Sequence, residues 1–450
     1  MMAADETALR SLARRIDAGG FTGLWIVFHD YSARACAKWI PASGFHSAVL
    51  RGAVFARANL NFTIDDHQVE NPRFGADTGD FFAVPDPDTL APIPYRPGIA
   101  RVYSHLHTED GDHWEGCARG RLIAAVDGLK ERGFTAQVAF EPEFTLFRPD
   151  EDGLPVPGDG STMYSVERMD IQHRLLADIE HALGEQGVDI VQIGSEYGAG
   201  QLEINLGHTH PLKAADDTLT LRETVRALAR EAGLHASFMP KPFEQAAGNG
   251  LHMHLSLWNA DGSEDFSSGD GQLGLSGEME QFMAGVLEHG RAICGVASPT
   301  VNSYKRLQPA SWAPAHLSYG FENRAALVRV PGSTRRRIEF RAGDHTGNPY
   351  LALTALIAAG IDGLDRELDP GPPAEGDLGH ANVQALAEQG VRFLPRTAGE
   401  ALDAIEGDDV VMKALGPVCG PELLRVKRHE LARYDRHVSE WERDVFFERV

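Results

Sequence analysis

Cysteine is scarce: four residues, at positions 36, 117, 294 and 419, in a chain of 450. They form no CxxC pair and no framework spacing, so neither a disulfide scaffold nor a zinc knuckle is expected, and a reducing cytoplasm suits them. No run of about 18 apolar residues occurs, which leaves no candidate membrane-spanning helix. The leading stretch MMAADETALRSLARRIDAGG lacks the apolar core of a secretory leader and reads as an amphipathic helix over residues 5–18. Positive charge is also in short supply. With 42 Lys and Arg against 65 Asp and Glu, the net charge is −23. Such a surface repels nucleic acid and anionic lipid, so neither is an expected partner. GxxxxGK[ST] and GxGxxG are both missing, which excludes a P-loop and a dinucleotide fold. Repeats and low-complexity tracts are missing too. An acidic chain that handles phosphate must import positive charge locally, as metal ions or grouped arginines.

What is present reads as two units. Short apolar alternations broken by Pro and Gly fill residues 21–115 and predict a small mixed β unit. A helix over 118–136, closed by Gly133, opens the remainder, in which strands alternate with helices over 165–186, 212–233, 276–294, 348–366 and 421–447.

Four predicted strands carry functional polar residues at i and i+2, hence on one face. They are Glu141 and Glu143 in AFEPEFTLF, and Gln201, Glu203 and Asn205 in GQLEINL. His252 and His254 lie in GLHMHLSL, and Arg337, Glu339 and Arg341 in RRIEFRAG. One such strand is an ordinary solvated face. Four together, dominated by Glu, His and Arg, are not: adjacent carboxylates repel unless cations lie between them. Carboxylates with an imidazole suit Mg2+ or Mn2+, and neighbouring arginines suit phosphate or carboxylate oxygens. That combination is the equipment of phosphoryl transfer.

The ordered motifs EPE, E(x6)E, GNGxHxH, NSYKRL, NR(x4)R, RxExR and NPYL resemble the glutamine synthetase superfamily from about residue 20 to the end. The resemblance implies an α+β protein: an N-terminal β-grasp domain over 1–115, and a catalytic domain over 118–450 on a curved antiparallel sheet. It also implies a cytoplasmic homo-oligomer, a double hexameric ring with active sites shared between neighbours. ATP would be the co-substrate, with two or three Mg2+ or Mn2+ ions per site and L-glutamate as the acid.

Carried over by position, Glu143, Glu196 and Glu203 would hold a first metal, and Glu141, His252 and Glu339 a second. His254 would orient a ligand or face the nucleotide, alongside Arg337 and Ser256. Arg306 and Arg341 match arginines that hold the amino-acid carboxylate, and Arg324 and Arg329 those on the transferring phosphate. Tyr164 and Gly248 match positions lining the glutamate pocket. Glu196 is also the group placed to take a proton from the amine.

Two departures fall at the ammonium site. Ala56, in VFARANLN, stands where the family carries an Asp, and Trp312, in PASWAP, where it carries a Glu. An aromatic in place of the flap carboxylate resembles the γ-glutamyl-amine ligase branch, such as γ-glutamylputrescine and γ-glutamylpolyamine synthetases, and implies a small organic amine as co-substrate. An ammonia-using glutamine synthetase with an altered site, a ligase of another acid, and an inactive structural member are the alternatives.

Overall fold

The computed structural model describes residues 6–450 except 382, 383, 385 and 387–390. Helix α1 (Glu6–Ala18) buries Leu9, Leu12, Ala13 and Ile16, a 3.6-residue stripe; residue 5, the predicted helix start, lies outside the described residues. The first sheet contains β1 (Gly23–His29), β2 (Ala35–Pro41), β3 (Ala53–Ala56), β4 (Asp80–Pro85), β5 (Ala91–Pro92) and β6 (Ile99–His107). Its order is β2-β1-β6-β4-β3, with β5 on β6, and β1 runs parallel to β6 at the centre. Helix α2 (Phe45–Arg51) joins β2 to β3 and buries Phe45 and Val49. This is the mixed N-terminal β unit anticipated from the residues.

The second sheet is built on β7 (Phe134–Pro149), joined by β8 (Pro155–Pro157), β9 (Ile190–Ser195), β10 (Gln201–Leu206) and β11 (His235–Ser237). It continues through β12 (Leu251–Asn259), β13 (Tyr319–Phe321), β14 (Val328–Val330) and β15 (Ile338–Phe340). The order is β13-β14-β15-β12-β7-β10-β9, with β8 and β11 also on β7. All the pairings are antiparallel except that of β13 with β14. The predicted strand around Glu339 is shorter than expected: β15 covers Ile338–Phe340, so Arg337 and Arg341 flank it.

Packed around this sheet are α3 (Ala118–Lys130), α4 (Val166–Glu185), α5 (Pro211–Glu231), α6 (Gly277–Glu288), α7 (Gly290–Ala297) and α8 (Ser303–Arg306). The chain ends in α9 (Pro349–Asp365), α10 (Ala398–Glu406), α11 (Asp409–Asp435) and α12 (Glu440–Phe446). The helix expected over 276–294 is divided at His289, whose ring bridges two carboxylates. The one expected over 421–447 starts earlier, kinks at Gly416 and stops at Asp435, before a separate α12. Helix α9 is buried along most of its length. It meets α6 at glycines: a Cβ on Gly285 would lie 2.7 Å from the Gly363 nitrogen. Buried hydrogen bonds tie the N-terminal unit to these helices, from Asn61 Nδ2 to Glu422 Oε2 (2.6 Å) and from Lys427 Nζ to Ser32 Oγ (2.8 Å). Among the described residues no helix is long and apolar enough to cross a membrane.

Candidate active site

Strand register assembles the site. Glu143 on β7 stands opposite Glu203 on β10, and Glu141 opposite His252 on β12. His254 pairs with Glu339 on β15, and Glu339 with Arg329 on β14. Paired residues on adjacent strands share a face, so the i, i+2 pattern of each strand becomes one continuous polar surface. Glu196 follows β9 directly and joins the Glu143 and Glu203 side.

The two halves of this surface differ in charge balance. Burial disfavours the Glu339 carboxylate, but Arg341, His254 and His252 outweigh burial and hold it at about 2. Glu141 is likewise held well below its usual range: burial is outweighed by His254 and His252. The other half has no such compensation. Glu203 is pushed up to about 9 by burial and by Glu141, Glu143 and Glu196. Burial and the Glu143 charge push Glu196 up to about 7. Clustered carboxylates of this kind call for a cation.

Ligand atoms of Glu141, Glu203 and His252 converge within 4.8 Å, as do those of Glu141, His254 and Glu339. This is not the grouping expected from the sequence. Glu143 is engaged elsewhere, accepting from the Gly250 nitrogen (2.8 Å) and Gln201 Nε2 (3.2 Å). Glu196 accepts from the Tyr164 hydroxyl at 3.3 Å and from the Tyr197 nitrogen at 3.3 Å. The glutamates therefore turn toward protein donors, and Glu141 is left between both histidines. His252 Nδ1 is buried without an aligned hydrogen bond, 3.5 Å from Glu141 and 3.4 Å from Glu339. A buried imidazole nitrogen without a partner, converging with Glu141 and with Glu203, whose charge has no such compensation, fits a divalent cation. His254 is placed differently. Its Nδ1 accepts from Arg337 Nε at 3.0 Å, so the ring proton belongs on Nε2, 2.9 Å from Glu141 Oε1.

The arginines brace the site. Arg329 bridges Glu322 (3.0 Å) and Glu339 (2.7 Å). Arg341 pairs with Glu339 and donates Nε to the Arg324 carbonyl at 2.9 Å. Arg306 is buried, and its terminal nitrogens donate to the carbonyls of Arg341, Ala342 and Gly343. It thus braces the turn after β15. Arg324 is exposed and lines a cavity of about 420 Å3 with Trp312, Phe321 and Glu322. At Gly248 a Cβ would lie 2.8 Å from Arg306 Cγ and strike the Pro240 carbonyl, so only glycine fits.

On the far side of Glu141, a cavity of about 470 Å3 is lined by His254, Ser256, Trp258 and Arg335 to Arg337. Ser256 accepts from Trp258 Nε1 at 2.9 Å, and Arg335 lies 5.9 Å over the Trp258 ring.

The flap carries an aromatic group that residue patterns did not reveal in full. The Trp312 ring is 5.3 Å from that of Tyr197, which is 5.3 Å from that of Tyr164. Trp312 is 61% exposed, so most of its face is free to receive another molecule. Tyr164 and Trp312 both hold φ near +50 to +65° (51° and 64°), a costly conformation for large residues that marks functional sites. Tyr197 adjoins Glu196 in SEYG, a neighbour the sequence shows but gives no reason to select. Ala56 does not join this group within one chain; it ends β3 on the N-terminal sheet, opposite Asp80. Arg57 beside it donates to the Asp80 carbonyl and lies 5.5 Å from the Trp114 ring. Asp65 and Asp66 are already paired, with Arg433 and Arg34.

The profile of the family "Glutamine synthetase, catalytic domain" matches residues 115–446. The chain belongs to the glutamine synthetase family. A glutamine synthetase of Halobacterium salinarum is 34% identical over 448 residues, 98% of this chain and 96% of that protein. The glutamate–methylamine ligase of Methyloversatilis universalis is 38% identical over 433 residues, 94% of this chain and 95% of that protein. The solved GmaS complex with ADP superposes with a TM-score of 0.87 at 31% identity, covering 97% of this chain and 99% of that one. The chain is thus a ligase of this family, and its sheet carries a cluster of acidic residues and histidine that could hold a metal ion.

Proposed function

We propose that this chain joins the γ-carboxylate of L-glutamate to an organic primary amine, through γ-glutamyl phosphate formed with ATP. The observation that carries the reading is the aromatic group of Trp312, Tyr197 and Tyr164 beside Glu196. It offers an apolar and cation-attracting face, where the family's flap carboxylate would offer charge alone. The 38% identity to a glutamate–methylamine ligase supports it; the 34% identity to a glutamine synthetase keeps ammonia as the second reading.

A carboxylate is a poor electrophile because oxide would have to leave. Transfer of the γ-phosphoryl group of ATP to the glutamate oxygen releases ADP and creates an acyl phosphate, whose leaving group is phosphate. The amine lone pair then attacks the acyl carbon, phosphate departs, and the surplus proton passes to Glu196. Arg324 and Arg329 stabilise the moving phosphoryl group, and Arg341, held in place by the Arg306 brace, serves the amino-acid carboxylate. Gly248 and Tyr164 line the glutamate pocket, and Ser256, Trp258 and Arg337 the nucleotide side. Glu141, Glu143, Glu196, Glu203, His252 and Glu339 would hold the metal, with His254 Nε2 standing 2.9 Å from Glu141 Oε1 beside them. Mg2+ or Mn2+ bound there neutralises the charge of the phosphates.

Residues 1–115 form the N-terminal domain and 118–450 the catalytic domain, and the former completes a neighbour's site in a double hexameric ring. Ala56 would then meet the flap of another subunit, leaving that side of the amine site uncharged.

Phosphate release with glutamate, ATP, Mg2+ or Mn2+ and a panel of amines that includes ammonium tests the reading. Some primary amine should exceed ammonium in kcat/KM by tenfold or more; equality across the panel would make this a glutamine synthetase.

A further inference from the structure

A separate cavity of about 570 Å3 lies where the turn after β1 meets α5, β11 and the segment around His345. Its charged lining is Arg34, Arg222 and Arg226 against one carboxylate, Glu223. Arg34 is occupied by Asp30 and Asp66. Glu223 is divided between the other two: its Oε1 lies 3.6 Å from Arg222 Nε and 3.6 Å from Arg226 Nη1, too far for a hydrogen bond to either. Arg222 is buried and braces the Ala33 carbonyl, yet its Nε has no hydrogen-bond partner among the described residues. The buried His345 Nε2 has none either. A buried polar atom left without a partner costs the folded state stability.

The field in this cavity is positive although the chain carries a net charge of −23. Burial, and then the charges of Arg222 and Arg226, hold His345 well below its usual range, and burial followed by the Arg222 charge lowers Arg226. The uncharged walls include the apolar Ile64, Phe147 and Phe238 beside the hydroxyls of Ser32, Ser237 and Thr346; Arg226 lies 5.4 Å over the Phe238 ring. Two guanidinium groups with spare donors, facing the apolar side chains of Ile64, Phe147 and Phe238, match a carboxylate on a short carbon chain better than a bare inorganic anion.

We propose that this cavity is a binding site for a small organic carboxylate, held by Arg222 and Arg226 and seated against Phe238. The occupant takes up the spare donors of Arg222 and Arg226 and completes the half-share of counter-charge that Glu223 gives each arginine. It stands apart from the ligation site, but not remotely. Phe147 belongs to β7, the strand that carries Glu141 and Glu143, and His345 follows Asp344, whose charge acts on Arg306. The inference is independent of which amine the ligase uses.

Isothermal titration of the full chain with succinate, acetate and inorganic phosphate tests it, the cavity variants separating this site from the substrate pocket. Succinate should bind saturably to the wild type and at least tenfold more weakly to Arg226→Gln, with Arg226→Lys in between. If Arg226→Gln melts early, Met239→Glu, at the partly exposed rim, sets a carboxylate against the arginines and should weaken succinate by the same order. Succinate binding unchanged in these variants, binding of phosphate with neither carboxylate, or no saturable binding at all would overturn the assignment.

Discussion

Glu203 faces Glu143 across the β10 and β7 pair, and its carboxyl is pushed up to about 9 by burial and by three neighbouring glutamates. Two carboxylates, one buried and one half-buried, held side by side by backbone register store repulsion that a cation relieves. A carboxyl whose folded value is raised above the unfolded one costs the folded state stability as pH rises past the unfolded value. In EDTA at pH 7, Glu203→Gln should therefore melt no lower than the wild type, and higher if repulsion dominates, by on the order of 1–2 kcal/mol. Adding Mn2+ should raise the wild-type melting temperature and raise that of the variant much less. Turnover of the variant should be abolished. A full Mn2+ response in Glu203→Gln would remove this residue from the metal set.

The individual strand faces were legible because a period of two is local. Glu141 with Glu143, or His252 with His254, needs only one strand to be recognised. How the ligands divide was not legible. It depends on cross-strand register and on donors such as the Gly250 nitrogen and Gln201 Nε2, which draw Glu143 aside. Tyr197 escaped notice for a related reason: its ring acquires a role only when the distant flap brings Trp312 against it. The break at His289 was hidden because helical periodicity runs on through it, whereas its side-chain partners, Asp362 on α9 and Asp408 at the cap of α11, are distant in sequence.

His289 offers a pH test of the fold. Its Nδ1 lies 2.8 Å from Asp408, which caps α11, and its Nε2 lies 3.0 Å from Asp362 on α9. Burial opposes its charge, but Asp408 and Asp362 outweigh burial and raise the imidazole above 6.5. A raised histidine contributes stability that is fully present below the unfolded value and lost as pH climbs through the folded one. His289→Gln should cost about 1.5–3 kcal/mol at pH 6, the range for hydrogen bonds to a charged group, and less at pH 9. Denaturant melts at the two pH values check this; a penalty that grows with pH would contradict it.

Gly363 sets how closely α6 and α9 approach. A Cβ there would strike the Gln281 carbonyl and lie 2.7 Å from the Gly285 nitrogen. Neither helix backbone can yield without disturbing the core, so Gly363→Ala should destabilise by about 1–3 kcal/mol despite its better helix propensity. The control is Gly184→Ala on α4, where the added Cβ meets nothing within 4 Å. It should leave stability unchanged or raise it. If Gly363→Ala behaves like the control, the close contact is not a constraint.

The flap supplies the sharpest functional test. Trp312 has most of its surface exposed, and Tyr197 closes one edge of it. Each methylene of an amine buried against that surface contributes about 0.8 kcal/mol, and ammonium has none to bury. Two or three methylenes, or a ring, therefore separate an organic amine from ammonium by ten- to a hundredfold or more in kcat/KM. Trp312→Ala removes the surface but touches neither the arginines nor the carboxylate cluster. The KM for the preferred amine should rise at least tenfold while the values for glutamate and ATP move less than threefold, and the preference over ammonium should shrink. Tyr197→Phe, which keeps the ring, should retain the preference; Tyr197→Ala should lose part of it. Equal losses for amine, glutamate and ATP in Trp312→Ala would show the tryptophan to be a structural part of the flap and return the choice to ammonia.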